Sequence, residues 1–290
     1  MRRIFDNRIV RFVVLFVVTL CAYAGAQLLQ VWAVPRVAAE NREIAAIAAE
    51  IVSAALLLLI YWASTRLLEH RRIGELAPAR APANLLAGAL IGLGLFSCVI
   101  AALSLMGVAH VGGYNSGQSL LGATNMAILS GIGEELIFRG VVYRIFEEMF
   151  GSLVALLVSA AFFGATHLAN HGATLTSGAA VALEAGVLLG VCYMMVRNLW
   201  LPIGLHFGWN FAESAVFGSV VSGNAFKGLF STTMTGPEFL TGGQFGPEAS
   251  VIAVAICAAA AAVILVIAVR RGEWKKLTLN INERRPLAPA

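Results

Sequence analysis

Eight apolar runs, each close to the length needed to cross a lipid hydrocarbon core, leave this chain little choice of fold. They fall at about residues 12–34, 44–65, 85–108, 118–143, 152–169, 177–196, 200–220 and 249–269, against the roughly 20 helical residues that span a bilayer. None alternates in the manner of membrane strands. The chain therefore reads as all-α and polytopic, with about eight transmembrane helices. Hydrophobic residues make up 59% of it and charged residues 12%, a balance foreign to soluble domains.

Basic residues give the expected orientation, because cytoplasmic loops are enriched in Lys and Arg. Arg2, Arg3, Arg8 and Arg11 precede the first run, and Arg66, Arg71, Arg72 and Arg80 follow the second. Arg197 follows the sixth, and the tail adds Arg270, Arg271, Lys275, Lys276, Arg284 and Arg285. With eight spans and both termini inside, these fifteen of the twenty basic residues share the cytoplasmic side. Arg36, Arg42 and Lys227 fall on the other side, and Arg139 and Arg144 lie at the inner end of span four. The net charge of +4 then reflects orientation in a bacterial cytoplasmic membrane and not nucleic-acid binding.

The N-terminus has the outline of a signal peptide, with a small-x-small site at Ala22 and Ala24. The apolar run continues to Val34, however, which suits an uncleaved anchor. Cys21, Cys98, Cys192 and Cys257 all fall within spans, where small apolar packing is the usual role. No repeat or second domain is visible, so residues 1–290 form one membrane unit. Residues 221–249, rich in Gly and Pro, read as an irregular outer connector, and 277–290 as a frayed cytoplasmic tail.

The polar residues inside the spans carry the functional signal. A carboxylate in mid-membrane costs about 2.5–3.5 kcal/mol even on the lenient insertion scale, yet Glu134 and Glu135 are adjacent in span four. A tight hairpin near Gly151 would bring His167 of span five level with Glu134. His206 and Asn210, one turn apart in span seven, reach the same depth, in the inner half of the bilayer, if Glu147 and Glu148 project into the cytoplasm. Glu134, His167, His206 and Asn210 supply a base, two imidazoles and an amide donor, a set suited to hydrolysis. Each alone could equally be a helix-bridging polar residue. Arg139 stands four residues after Glu135, the spacing of a charge-neutralising ion pair, and Phe163 reads as packing. Glu184, just before Gly186 and Gly190 whose spacing allows close helix approach, reads as either an acid supporting the site from behind or, the favoured choice, an outer-leaflet interface residue; Glu213 and Asn125 are similar cases. Asn170 and His171 read as surface loop, and Glu50 as reaching the interface.

Glu134-Glu135-x-x-x-Arg139, Phe163-x-x-x-His167 and His206-x-x-x-Asn210 closely resemble the three motifs of the CPBP intramembrane proteases, also called the Abi or CAAX protease family. The surrounding text, GIGEELIFRG, FFGATHL and LWLPIGLHFGWN, resembles it in order and separation across 131–210. The resemblance implies an intramembrane endopeptidase of eight helices around a cytoplasm-facing catalytic cavity. It would cut a peptide bond of a membrane-associated protein or peptide, prenylated CAAX tails included. Glu134 with His167 would activate water, His206 and Asn210 would stabilise the oxyanion, and Glu135 and Arg139 would support them. A metal-free mechanism is favoured because Asn210 suits an oxyanion donor and no His-Glu-x-x-His helix occurs; the alternative is zinc on Glu134, His167 and His206.

Two other readings remain. A non-catalytic immunity or scaffold protein would bind a peptide partner through the same cavity, and a transporter would use the acids and histidines as a proton relay. The second is weakened by the lack of an inverted repeat. Ser130 and Ser177 have no setting for a serine nucleophile.

Overall fold

In the computed structural model, which describes residues 5–38, 41–115 and 120–281, every apolar run is helical. Helix α1 spans Arg8–Ala33, α2 Arg42–Glu69 and α3 Ala81–Leu105. A long rod follows, made of α4 (Leu121–Glu135), a π-helical stretch (Leu136–Tyr143) and α5 (Arg144–Phe150). Gly151, at φ 87°, turns the chain into α6 (Ser152–His167). A methyl group there would also lie 2.4 Å from the Lys276 carbonyl oxygen, so both the turn and the close approach require glycine. The next rod joins α7 (Leu175–Val181) to α8 (Val187–Val196) through a π-helical turn at Ala182–Gly186. Helix α9 (Trp200–Phe211) continues into another at Ala212–Val216. Short strands β1 (Ala109–Gly112), β2 (Val220–Val221), β3 (Asn224–Ala225) and β4 (Ser231–Met234), the turn α10 (Glu238–Thr241) and α11 (Val251–Arg270) complete the order.

Among the described residues, five rods are long and apolar enough to cross a membrane: Arg8–Arg36, Ile44–Glu69, Pro78–Leu105, Leu175–Val196 and Val251–Arg270. Their outward side chains, including Leu28, Val31, Ile44, Leu67 and Leu86, are exposed and apolar, as a lipid-facing surface requires. The other three rods expected to span are α4–α5, α6 and α9. They are shorter or carry buried charge, and they hold all three motifs. With 16 residues, α6 is about 24 Å long.

Successive rods run in opposite directions, so their termini gather at two ends. At one end the loops 66–80, 144–152, 197–200 and 271–281 are tied together. Leu199 N donates to Glu75 O at 2.9 Å, Ser152 N to Lys275 O at 3.1 Å and Arg8 N to Ile281 O at 2.9 Å. Arg144 pairs with Glu69 at 2.9 Å and Arg8 with Glu148 at 3.4 Å, while Glu147 accepts from Arg197, Lys275 and Ser152. Glu147 is thus buried among cations and does not project outward as expected. Residues 277–281 are also docked: Asn280 N donates to Met149 O at 2.9 Å. The rest of the expected tail, 282–290, lies outside the described residues.

At the opposite end, residues 221–249 are more ordered than a plain connector. Strands β2 and β3 pair antiparallel, and β4 pairs with β1 in the register Ala109 to Met234. Gly223 N donates to Phe245 O at 2.7 Å, folding this segment back over the helices.

Helix α9, the carrier of His206 and Asn210, is held at a fixed depth by reciprocal glycines. A methyl group on Gly88 or Gly92 of α3 would lie 2.3 Å from Leu201 O or 2.1 Å from Leu205 O. One on Gly204 or Gly208 of α9 would lie 2.3 Å from Leu85 O or 2.1 Å from Ala89 O. The two backbones therefore touch, the small-xxx-small packing that membrane helices use. Gly186 and Gly190 behave as the sequence suggests, packing on Ala160 and Leu156 of α6.

Candidate active site

The three motif helices meet around a cavity of about 420 Å³. Glu134 is the last residue but one of α4, where the backbone passes into the π-helical stretch; the extra residue in such a turn shifts which face the following side chains present. Its Oε1 accepts from the Tyr23 hydroxyl at 3.2 Å, and Gln27 Nε2 donates to the Tyr23 oxygen at 3.0 Å. Its Oε2 has no hydrogen-bond partner and lies 4.0 Å from His206 Nε2. Glycine at 133 makes this possible, since a methyl group there would lie 2.2 Å from the Tyr23 ring.

Glu135 points away from the cavity. One of its oxygens takes Arg139 Nη1 at 2.8 Å and His206 Nδ1 at 3.0 Å, and both Glu135 and Arg139 are fully buried. Arg139 also donates to the carbonyls of Ala185 and Gly186 at 3.1 and 3.0 Å and sits 4.8 Å from the Phe163 ring centroid. The expected ion pair forms, and it does more than cancel charge. It positions His206, and it fastens the α4–α5 rod to the turn at 182–186.

Hydrogen-bond partners assign the imidazole nitrogens. The Phe163 carbonyl can only accept, so His167 Nδ1, 2.8 Å away, carries a proton, leaving Nε2 as an acceptor on the cavity side. By the same logic His206 donates Nδ1–H to Glu135 and turns Nε2 toward Glu134. Phe163 separates the two rings, 4.7 Å from His167 and 6.0 Å from His206 between centroids, so it orients both and is not mere packing. Asn210 Nδ2 donates to Ser130 Oγ at 2.9 Å, and Ser130 passes its own proton to Met126 O at 2.8 Å. Beyond that, Asn210 Nδ2 finds the weakly accepting Met126 sulfur at 4.0 Å.

The structure thus brings Glu134, His167, His206 and Asn210 to one cavity and sets Glu135 and Arg139 behind it. Tyr23 and Ser130 were missed as site residues. Ser130 was legible, standing four residues before Glu134 on the same helical face; Tyr23 had as its sequence signal the pair Tyr23–Gln27, one turn apart on an apolar helix. Glu184 does not face the outer interface as expected. It is buried, lines the cavity, and leaves Oε2 without a partner. Glu213 is fully buried with neither oxygen hydrogen-bonded, and Glu50 is buried and accepts from Gln30 at 2.9 Å. Asn170 lines the cavity mouth with Ser222, Asn224 and Glu248. Burial pushes the Glu248 carboxyl above its ordinary range, although the Ser222 hydroxyl and nearby His167 pull the other way.

The mouth is on the side of the 217–250 segment. Arg8 and residues 275–281 pack together at the opposite end, whereas the sequence reading put the cavity and both termini on one side. A metal set is likewise not assembled: among the described residues no three His, Cys, Asp or Glu side chains converge as ligands. Cys192 and Cys257 are buried, Cys21 and Cys98 exposed, and all four are free thiols.

No curated protein and no solved structure matches the chain. A family model does, described as type II CAAX prenyl endopeptidase Rce1-like, over residues 116–212. That stretch holds all three motifs and, in full, three of the five rods that line the cavity; the long apolar helices fit an integral membrane protein. Over residues 116–212 the chain is therefore similar to the Rce1-like type II CAAX prenyl endopeptidases, the family its motifs resemble.

Proposed function

We propose that this chain is an intramembrane endopeptidase that hydrolyses a peptide bond of a membrane-associated protein with water activated by Glu134 and His167. The observation that carries the reading is the convergence of Glu134, His167, His206 and Asn210 on one cavity, with a Glu134 oxygen left without a partner. A water between Glu134 and His167 Nε2 gives up a proton to the carboxylate as its oxygen attacks the carbonyl carbon. The oxyanion is met by Asn210 Nδ2–H and, when Nε2 is protonated, by His206. Such donors are worth about 2.7–4 kcal/mol each in soluble proteases. As the C–N bond breaks, Glu134 returns the proton to the leaving amine, giving a carboxylate and an amine. Tyr23 holds the carboxylate, and Glu135 with Arg139 holds His206.

We read eight membrane crossings in a bacterial cytoplasmic membrane, with both termini cytoplasmic; the alternating rods and their basic end support this. The residues do not form a metal set, so no step is drawn through zinc. Activity lost in chelator and restored by zinc would overturn that choice.

The test is mass spectrometry of membrane proteins from cells carrying wild type or Glu134→Gln. New peptide termini that depend on Glu134 support the protease; a biological effect that survives the substitution supports instead a partner-binding immunity or scaffold protein.

A further inference from the structure

The cavity and the basic residues occupy opposite ends of the helical array, and this fixes the side from which a substrate must come. The lining residues run from the middle of most contributing rods toward one and the same end. They include Tyr23 and Gln27 in the second half of α1, Met126 in the first half of α4, His167 at the end of α6 and Asn170 just beyond it. The mouth is completed by the segment after α9. No lining residue comes from 66–80, 144–152, 197–200 or 271–281.

That other end is shut. Tyr61, Arg139, Tyr143 and Phe163 are buried to within 1% of complete and fill the interior between the cavity floor and the ion pairs of Glu69, Glu75 and Glu147. Tyr61 lies 2.9 Å from Glu75 and 3.0 Å from the Gly140 carbonyl, closing the gap between α2 and the 136–143 stretch. Trp200 Nε1 donates to Ala77 O at 3.1 Å, sealing the loop between α2 and α3 onto α9.

Charge identifies the two sides. Of the described Lys and Arg residues, twelve lie at the shut end: Arg8, Arg11, Arg66, Arg71, Arg72, Arg80, Arg144, Arg197, Arg270, Arg271, Lys275 and Lys276. Arg36, Arg42 and Lys227 lie at the open end. The positive-inside rule counts Lys and Arg in short loops and gives Asp and Glu little weight, so the pairing of several of these arginines with acids does not weaken it.

We propose that the catalytic cavity opens on the non-cytoplasmic face and that its substrate is an exported or outward-facing segment of a membrane-associated protein. A prenylated tail, whose lipid is added to a cytoplasmic cysteine, would reach the wrong face. The substrate class rests on the protease reading above; the sidedness does not.

Sidedness is tested by labelling the full-length protein in intact cells with a membrane-impermeant maleimide, before and after permeabilisation. Wild type, whose cysteines lie in apolar helices, serves as the blank. Lys227→Cys and the mouth variant Asn170→Cys react in intact cells, whereas Arg72→Cys and Lys276→Cys react after the membrane is opened. The reverse pattern, or equal labelling of both sets in intact cells, overturns the proposal. A protease-cleavable tag after Lys276 reads the same sidedness without loop changes: protected in intact cells, cut in inverted vesicles. Labelling needs no turnover, so a catalytically dead protein with this sidedness would sink the protease reading alone.

Discussion

Carboxylates at the two ends of this helical array have opposite surroundings. At the shut end, Glu69, Glu75, Glu147 and Glu148 each touch an arginine. At the open end, Glu184 and Glu213 are as deeply buried but form no ion pair among the described residues, and Glu184 keeps an oxygen with no hydrogen-bond partner. Glu134 belongs to the second group and Glu135 to the first, although they are neighbours in sequence. Burial with a cation is how a fold neutralises an acid; burial without one leaves an acid free to exchange protons. Position in the chain says little about which applies.

The largest expected effect separates the groups by activity. Glu134→Gln should lower cleavage about 10²–10⁴-fold, the range for a positioned base, with an unchanged melting temperature. Arg144→Met should do the reverse. Removing the cation from Glu69 and Glu148 costs about 3–5 kcal/mol, as for other broken buried pairs, read as a lowered melting temperature in detergent, while the turnover of molecules that remain folded is unchanged.

Asn210→Ala should cost about 10²–10³-fold in kcat, as for an oxyanion donor. Ser130→Ala, which removes only the group holding that amide, should cost about tenfold or less, near one hydrogen bond. Equal losses in the two variants would assign Ser130 a larger part than positioning.

The smallest effects are pH dependences of opposite sign. Burial disfavours the Glu75 carboxylate, but hydrogen bonds from Arg71 and the charge of Arg144 outweigh it and hold its pKa below the ordinary 4.5. Its contribution to stability is present above 4.5 and lost as pH falls through the folded value. Burial leaves Glu248 above 4.5, so its contribution is complete below 4.5 and lost as pH rises through the folded value. Thermal melts from pH 4 to 9 should therefore show Glu75→Gln weakest relative to wild type at neutral pH, and Glu248→Gln gaining on wild type as pH rises. Parallel curves would remove the distinction between the ends.

Much of the scaffold was legible in the chain. Apolar runs gave the helices, Gly151 the hairpin, and the four-residue spacing the Glu135–Arg139 pair. The three motifs identified four side chains that do share a cavity. What was not legible depends on which ends of distant helices surround the empty volume. A glutamate near the end of an apolar run looks the same whether it reaches lipid headgroups or a cavity, which is why Glu184 and Glu213 were misread. The contact of Tyr23 with Glu134 joins helices 111 residues apart and follows from no local period. The glycine pairs between α3 and α9 were overlooked for a simpler reason: Gly88-x-x-x-Gly92 and Gly204-x-x-x-Gly208 were both available to be read.

The hydrogen bond from Arg8 N to the Ile281 carbonyl ties the start of α1 to a segment 273 residues further along the chain. Helix α1 also carries Tyr23, so the helix clasped by that segment is the one that holds the Glu134 carboxylate. A change that loosens this distant clasp therefore reaches Glu134 through a single stiff rod.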